Sequence, residues 1–135
     1  MTADPNALIA RARECVDQAY APYSRFCVAA AVIDDLGRVF TGVNVENISY
    51  GLSMCAERVA IFSAIAAGAR RISALAVTSS GADLLSPCGA CRQVMAEFAD
   101  PDVPVYCDTG GAARRWTVSE LLPERFAASQ LGRER

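Results

Sequence analysis

The sequence predicts a mixed α/β fold, one sheet with helices on both faces. Three observations predict it. Leu8, Ile9, Ala12, Cys15, Val16, Ala19 and Tyr20 recur at helical spacing. Five short β-rich runs are separated by Gly, Pro and Asp turn signals. Two further helix-length stretches alternate with the later runs, giving the order α-β-β-α-β-α-β-β.

Each element has its own signal. Asp4-Pro5 reads as an N-cap followed by proline at the first helical position, and the apolar stripe extends that helix to about Tyr20, where Pro22 stops it. Residues 27–33 and 38–43 flank Asp34-Asp35-Leu36-Gly37 and read as a hairpin. Residues 44–52 are a polar loop. Ser53 caps a second helix running to Ala67, with Gly68 closing it. A strand follows over 72–78 and a loop over 81–86. Pro87 opens a third helix to about Phe98, and Pro101 lies beyond its end. Residues 103–107 are a strand, 108–113 a turn and 114–118 a weaker strand. Residues 120–126 are a helical turn broken by Pro123. There is no internal repeat.

The 135 residues suit a single domain over 1–135, and a 53% hydrophobic content is ample for its core. Net charge is -2, every basic residue is arginine, and the basic residues occur at most in pairs, Arg70-Arg71 and Arg114-Arg115. No basic run tracks a phosphate backbone, so polynucleotide is not the expected partner. No apolar run reaches the ~18 residues that cross a bilayer, and the N-terminus carries no signal-peptide pattern. The expected location is cytoplasmic, where six cysteines read as metal ligands or buried thiols before disulfides.

The chemistry concentrates in Cys55-Ala56-Glu57 and Pro87-Cys88-Gly89-Ala90-Cys91, in a chain without histidine. Cys88 and Cys91 stand at i, i+3 and face one way on a helix. With Cys55 they make three thiolate ligands for Zn²⁺ and leave the fourth position open, which is the layout of a catalytic zinc site, not a structural one. Three thiolates leave the ion at a net charge of -1, which weakens it as a Lewis acid. Two helix N-termini aimed at the sulfurs would offset this, and Arg58 can hydrogen-bond a thiolate. Arg92 is a less favoured candidate for the same role. Glu57 has a bland alternative, complementing its helix dipole. Beside an open zinc, the general acid–base role is the better assignment. Cys15, Cys27 and Cys107 fall outside any ligand spacing and read as small core residues.

These residues resemble the zinc-dependent deaminases of nucleobases, and most closely the small homotetrameric cytidine deaminases. Five ordered blocks carry the resemblance: residues 19–26 (Ala-Tyr-Ala-Pro-Tyr-Ser-Arg-Phe), 41–47 (Thr-Gly-Val-Asn-Val-Glu-Asn), 55–58, 86–94, and Glu120-Leu121-Leu122-Pro123 with Phe126. Cys27 and Ala29 depart from the family's usual proline and glycine. The resemblance implies a three-layer α/β/α sandwich around a mixed five-stranded sheet. It implies one Zn²⁺ per chain and hydrolytic deamination of cytidine and 2′-deoxycytidine in pyrimidine salvage, with Glu57 carrying the protons. Asn44 and Glu46 would bind the 3′-hydroxyl side of the ribose, Phe26 would pack on the base, and the backbone N–H of Ala56 would hold the base carbonyl. Phe126, Tyr23 and Tyr50 would reach a neighbouring subunit's site in a homotetramer.

Other readings stay open at this level. Asn44 and Glu46 also suit a solvated loop, and Phe26 suits a core aromatic after a turn. The blasticidin S deaminases share the zinc motifs but differ at the acidic ribose residue. Polynucleotide-editing deaminases share only the zinc motifs and need a basic channel. A zinc-stabilised interaction module without activity is the non-enzyme alternative.

Overall fold

The computed structural model describes residues 4–81 and 85–133. Helix α1 (Pro5–Cys15) is followed by the hairpin β1 (Val28–Asp34) and β2 (Val39–Val43). Then come α2 (Ala56–Ala66), β3 (Ile72–Ser79), α3 (Gly89–Phe98), β4 (Pro104–Cys107), β5 (Arg114–Thr117) and the single turn α4 (Val118–Leu121). The expected order is therefore found. Residues 1–3 and part of the expected loop over 81–86 lie outside the described residues.

The five strands form one sheet in the order β2-β1-β3-β4-β5. β1 is antiparallel to both β2 and β3, whereas β3 and β4 run parallel. β2, β3 and β4 therefore point the same way, and the segments leaving their C-terminal ends gather at one edge. Alternation along β1 divides the core into two layers. Val28, Ala30 and Val32 face α2 and α3 together with Ile61, Leu75, Val77, Cys91 and Met95. Ala29 and Ala31 face α1, where Leu8, Ile9 and Ala12 cover them. Helices on both faces make the three-layer α/β/α sandwich. Ala29 sits in regular register, paired with Val43 and Thr78, so its departure from the family's glycine leaves the strand intact.

Gly42 fixes how deeply α2 lies on the sheet. A Cβ there would come within 2.4 Å of the Ala60 nitrogen and 2.7 Å of the Ala56 carbonyl oxygen. Only glycine lets the strand backbone touch the first turns of this helix.

Several boundaries differ from expectation. α1 ends at Cys15 and passes through a 3₁₀ turn, Val16–Gln18, instead of continuing to Tyr20. Tyr20 is drawn away because its N–H donates to the Asn44 carbonyl (3.0 Å) and it bridges Val45. Ser53 does not cap α2: its Oγ accepts from the Asn47 N–H (3.0 Å), and the N-cap is Cys55. Pro87 lies outside α3, whose N-cap is Cys88. The last helical turn starts earlier, at Val118, and stops before Pro123. The 3₁₀ turn Ala128–Leu131 has no sequence signal.

Candidate active site

Both site helices begin on a cysteine. Cys55 and Cys88 hold extended backbone at the N-cap positions of α2 and α3, and neither makes a side-chain capping bond. Cys91 lies one turn inside α3 and is buried. The helices thereby converge their three sulfurs: Cys55 Sγ and Cys88 Sγ are 3.7 Å apart, and Cys88 Sγ and Cys91 Sγ 3.4 Å. All three sulfurs lie within 4.8 Å of one another. Tetrahedral ligands at the usual Zn–S length stand about 3.8 Å apart, so this donor set fits zinc with little adjustment. No other such group occurs among the described residues.

Charge around the sulfurs is graded. The Cys55 thiol is lowered to about 5, first by the hydrogen bond from Cys91 and then by Arg58. The Cys91 thiol is raised, as the donor in that bond and through burial. Arg58 Nη2 donates to Cys55 Sγ (3.4 Å), the thiolate contact expected of it, while its Nε is buried without a partner among the described residues. Arg92 does not share that role. Its guanidinium donates to the carbonyls of Pro87 (2.8 Å) and Leu121 (2.9 Å), tying the start of α3 to α4.

Glu57 is 4% exposed on the first turn of α2. Burial raises its carboxyl to about 7, helped by the negative charge of Cys55. A carboxyl poised near neutrality can both take and give a proton. Ala56, beside it, is fully buried against β2. Cys107 also approaches this region from β4. Its thiol is pushed up to about 12 by burial, as suits a core residue, and Cys15 and Cys27 are partly buried free thiols.

A second group of residues stands at the same edge of the sheet. Val45 bridges Met54, which places Asn44 and Glu46 beside the residue preceding Cys55. The Asn44 side chain is held by backbone: Nδ2 donates to the Phe26 carbonyl and Oδ1 accepts from the Val28 N–H, both at 2.8 Å. Glu46 Oε1 accepts from the N–H groups of Tyr23 (3.0 Å) and Ser24 (3.1 Å), and Oε2 accepts from the Ser24 hydroxyl. Phe26 is 41% exposed and lies near Gly81 at the end of β3, so it is not a core aromatic. It follows Arg25, whose φ of 59° is left-handed. Tyr23 and Tyr50 meet edge-to-face at 6.0 Å and, with Ser24, Glu46 and Ser53, line an open cleft of about 310 Å³.

Phe126 is not brought to the sulfurs within this chain. It is 61% exposed beside Gln93, Ala96 and Glu97, across α3 from the buried Cys91. Two contributors escaped the sequence reading, Ser24 and Gly42. A glycine inside a strand is a signal of close backbone approach, but nothing local announces the Ser24–Glu46 contact.

The chain is similar to known proteins over most of its length. The family model for the "Cytidine and deoxycytidylate deaminase zinc-binding region" matches residues 3–107. A cytidine deaminase of Halalkalibacterium halodurans is 46% identical over 129 residues, 95% of this chain and 98% of that protein. One from Sporosarcina psychrophila is 43% identical over 95% of both chains. The crystal structure of cytidine deaminase from Burkholderia pseudomallei superposes with a TM-score of 0.84 at 47% identity, covering 93% of this chain and 100% of that one.

Proposed function

The chain belongs to the cytidine and deoxycytidylate deaminase family, and on that premise we propose that it deaminates cytidine and 2′-deoxycytidine to uridine and 2′-deoxyuridine, releasing ammonia, in pyrimidine salvage. The observation that carries this reading is the buried Glu57 beside a three-sulfur cluster with no fourth protein ligand among the described residues. We assign Cys55, Cys88 and Cys91 as ligands of one zinc per chain, and residues 1–135 as one catalytic domain. Zinc bound there would supply an activated water for addition to C4 of the base.

The chain's own residues do the rest. Glu57 takes one proton from the attacking water and delivers it to N3 of the cytosine, then takes the proton of the new C4 hydroxyl and delivers it to the amine, which departs as ammonia. A carboxyl raised to about 7 is matched to both directions of transfer. The Ala56 N–H binds the base carbonyl, and the Cys88 carbonyl accepts from the amino group. Phe26 packs on the base, and Asn44 and Glu46 read the sugar. Arg58 keeps the sulfurs from carrying their full charge toward the ion.

The exposed Tyr23, Tyr50 and Phe126 support a homotetramer in which neighbouring copies complete each site. Six free thiols fit a cytoplasmic setting. Arg13, Arg38 and Arg71 are ion-paired with Asp108, Asp34 and Asp100, which supports a free nucleoside over a polynucleotide as substrate. The test is the fall in ultraviolet absorbance when zinc-replete protein meets cytidine. Steady turnover is expected. No turnover, with activity on blasticidin S instead, would replace this substrate assignment.

A further inference from the structure

The loop over 20–26 and the segment over 44–46 are joined by an unbroken chain of hydrogen bonds in which Ser24 is the pivot. Its hydroxyl donates to Glu46 Oε2 and accepts from the Phe26 N–H (3.0 Å). The Phe26 carbonyl then accepts from Asn44 Nδ2 (2.8 Å), and Asn44 Oδ1 accepts from the Val28 N–H (2.8 Å). The backbone closes the other side. The Tyr20 N–H donates to the Asn44 carbonyl (3.0 Å), and the Glu46 N–H to the Tyr20 carbonyl (2.9 Å). One hydroxyl thus connects Glu46, Phe26 and Asn44, three of the residues assigned to the nucleoside.

The acceptor count at Glu46 is informative. A carboxylate offers about four lone-pair positions. Oε1 takes two N–H donors and Oε2 takes the Ser24 hydroxyl, which leaves one position on Oε2. We propose that Ser24 is a positioning residue for sugar recognition, holding the Glu46 carboxylate so that its one remaining acceptor meets a single substrate hydroxyl. The inference rests on the nucleoside reading above. Without the Ser24 hydroxyl, Oε2 has two open positions and the carboxylate is held through Oε1 alone, so the direction of its free acceptor is no longer fixed. The Phe26 N–H also loses its acceptor, next to an Arg25 whose left-handed backbone needs local support. Ser24 is the largest cause holding the Glu46 carboxyl below the ordinary carboxylate range. Both residues line the open cleft, where a sugar has room to approach.

The test compares two substrates that differ only in sugar hydroxyls, cytidine and 2′,3′-dideoxycytidine, using wild type, Ser24→Ala and Ser24→Thr. Ser24→Ala is expected to lose about tenfold in kcat/KM on cytidine, chiefly through KM, and less than about twofold on the dideoxy substrate. Ser24→Thr keeps the hydroxyl and is expected to stay within about twofold of wild type on both. An equal loss on both substrates would make Ser24 merely structural and overturn the proposal. So would full activity of Ser24→Ala on cytidine, or a Ser24→Thr variant as impaired as the alanine. Thermal melts identify a variant that fails to fold. If the alanine does, Ser24→Cys, with similar size and a weak donor, carries the same comparison. A wild type inactive on both substrates would bring down the nucleoside reading and this inference together. That outcome is distinguished because it appears before any substitution is made.

Discussion

The helices that carry the site and those that do not begin differently. α1 and α4 start in the usual way. Asp4 accepts from the Asn6 N–H (3.0 Å), and Thr117 forms a reciprocal capping box with Glu120. α2 and α3 start on Cys55 and Cys88, which make no capping bond. Thiols are poor substitutes for Ser, Thr, Asp or Asn at this position. The difference teaches where local stability has been given up. The positive ends of two helices lie at the cysteines whose sulfurs are assigned to a metal, and burial of the inner helix faces and a bound cation would offset the lost caps.

Substitution at Cys88 tests that comparison hardest. Cys88→Ala should lose zinc and all measurable activity, together with about 3 kcal/mol or more of stability. Cys88→Ser should lose zinc as well, but its hydroxyl can cap α3 and should return about 1 kcal/mol relative to alanine. Metal analysis and denaturant melts of both variants measure this. Equal stability of the two would break the idea that α3 gives up a cap to hold metal.

Glu57→Gln separates chemistry from architecture. The amide keeps the shape and removes the proton carrier, so turnover should fall at least ~10³-fold, about 4 kcal/mol of barrier, with zinc content unchanged. Near-normal turnover would remove Glu57 from the mechanism. Arg58→Gln should act more mildly. Loss of the donor to Cys55 leaves the thiolates less compensated, and a 10- to 100-fold loss of zinc affinity or activity is expected. A chelator competition curve unchanged from wild type, with unchanged kcat, would show that the helix starts alone balance the charge.

The parts of the site legible in the sequence are those set by local geometry. Cys88 and Cys91 at i, i+3, Glu57 two residues after Cys55, and Arg58 three after it all follow from helical spacing. The element order and a mixed sheet with helices on both faces followed from the residue patterns, and the three-layer sandwich from the family resemblance. The strand order β2-β1-β3-β4-β5 depends instead on long-range pairing that no local pattern marks. What escaped depends on distant partners. Ser53 looks like a helix cap, but its hydroxyl serves the Asn47 N–H, and Tyr20 leaves its apolar stripe to pair with residues 44–46. Ser24 meets Glu46 across 22 positions, and the left-handed Arg25 that makes this approach has no sequence mark. Phe126 remains apart from the sulfurs within one chain, so its expected role depends on a second copy.

The smallest expected effect sharpens the comparison from the conventional side. Thr117 Oγ1 accepts from the Glu120 N–H (3.2 Å), and Glu120 Oε1 accepts from the Thr117 N–H (2.9 Å). Thr117→Ala should cost about 1 kcal/mol of stability and leave zinc content and turnover unchanged. The reason is that α4 meets α3 through the packed Val118 and Leu121 and through the bond from Arg92 to the Leu121 carbonyl, none of which uses the Thr117 side chain. The Glu120 carboxyl is lowered, first by the Thr117 N–H and then by the Thr117 hydroxyl. Its contribution is therefore present above the unfolded carboxyl value and is lost as acid protonates it below that value. Denaturant melts at neutral pH and in acid measure both effects. A Thr117→Ala variant that lost zinc would mean that α4 helps to set α3 and its cysteines, and the division between helices that stabilise and helices that hold metal would fail.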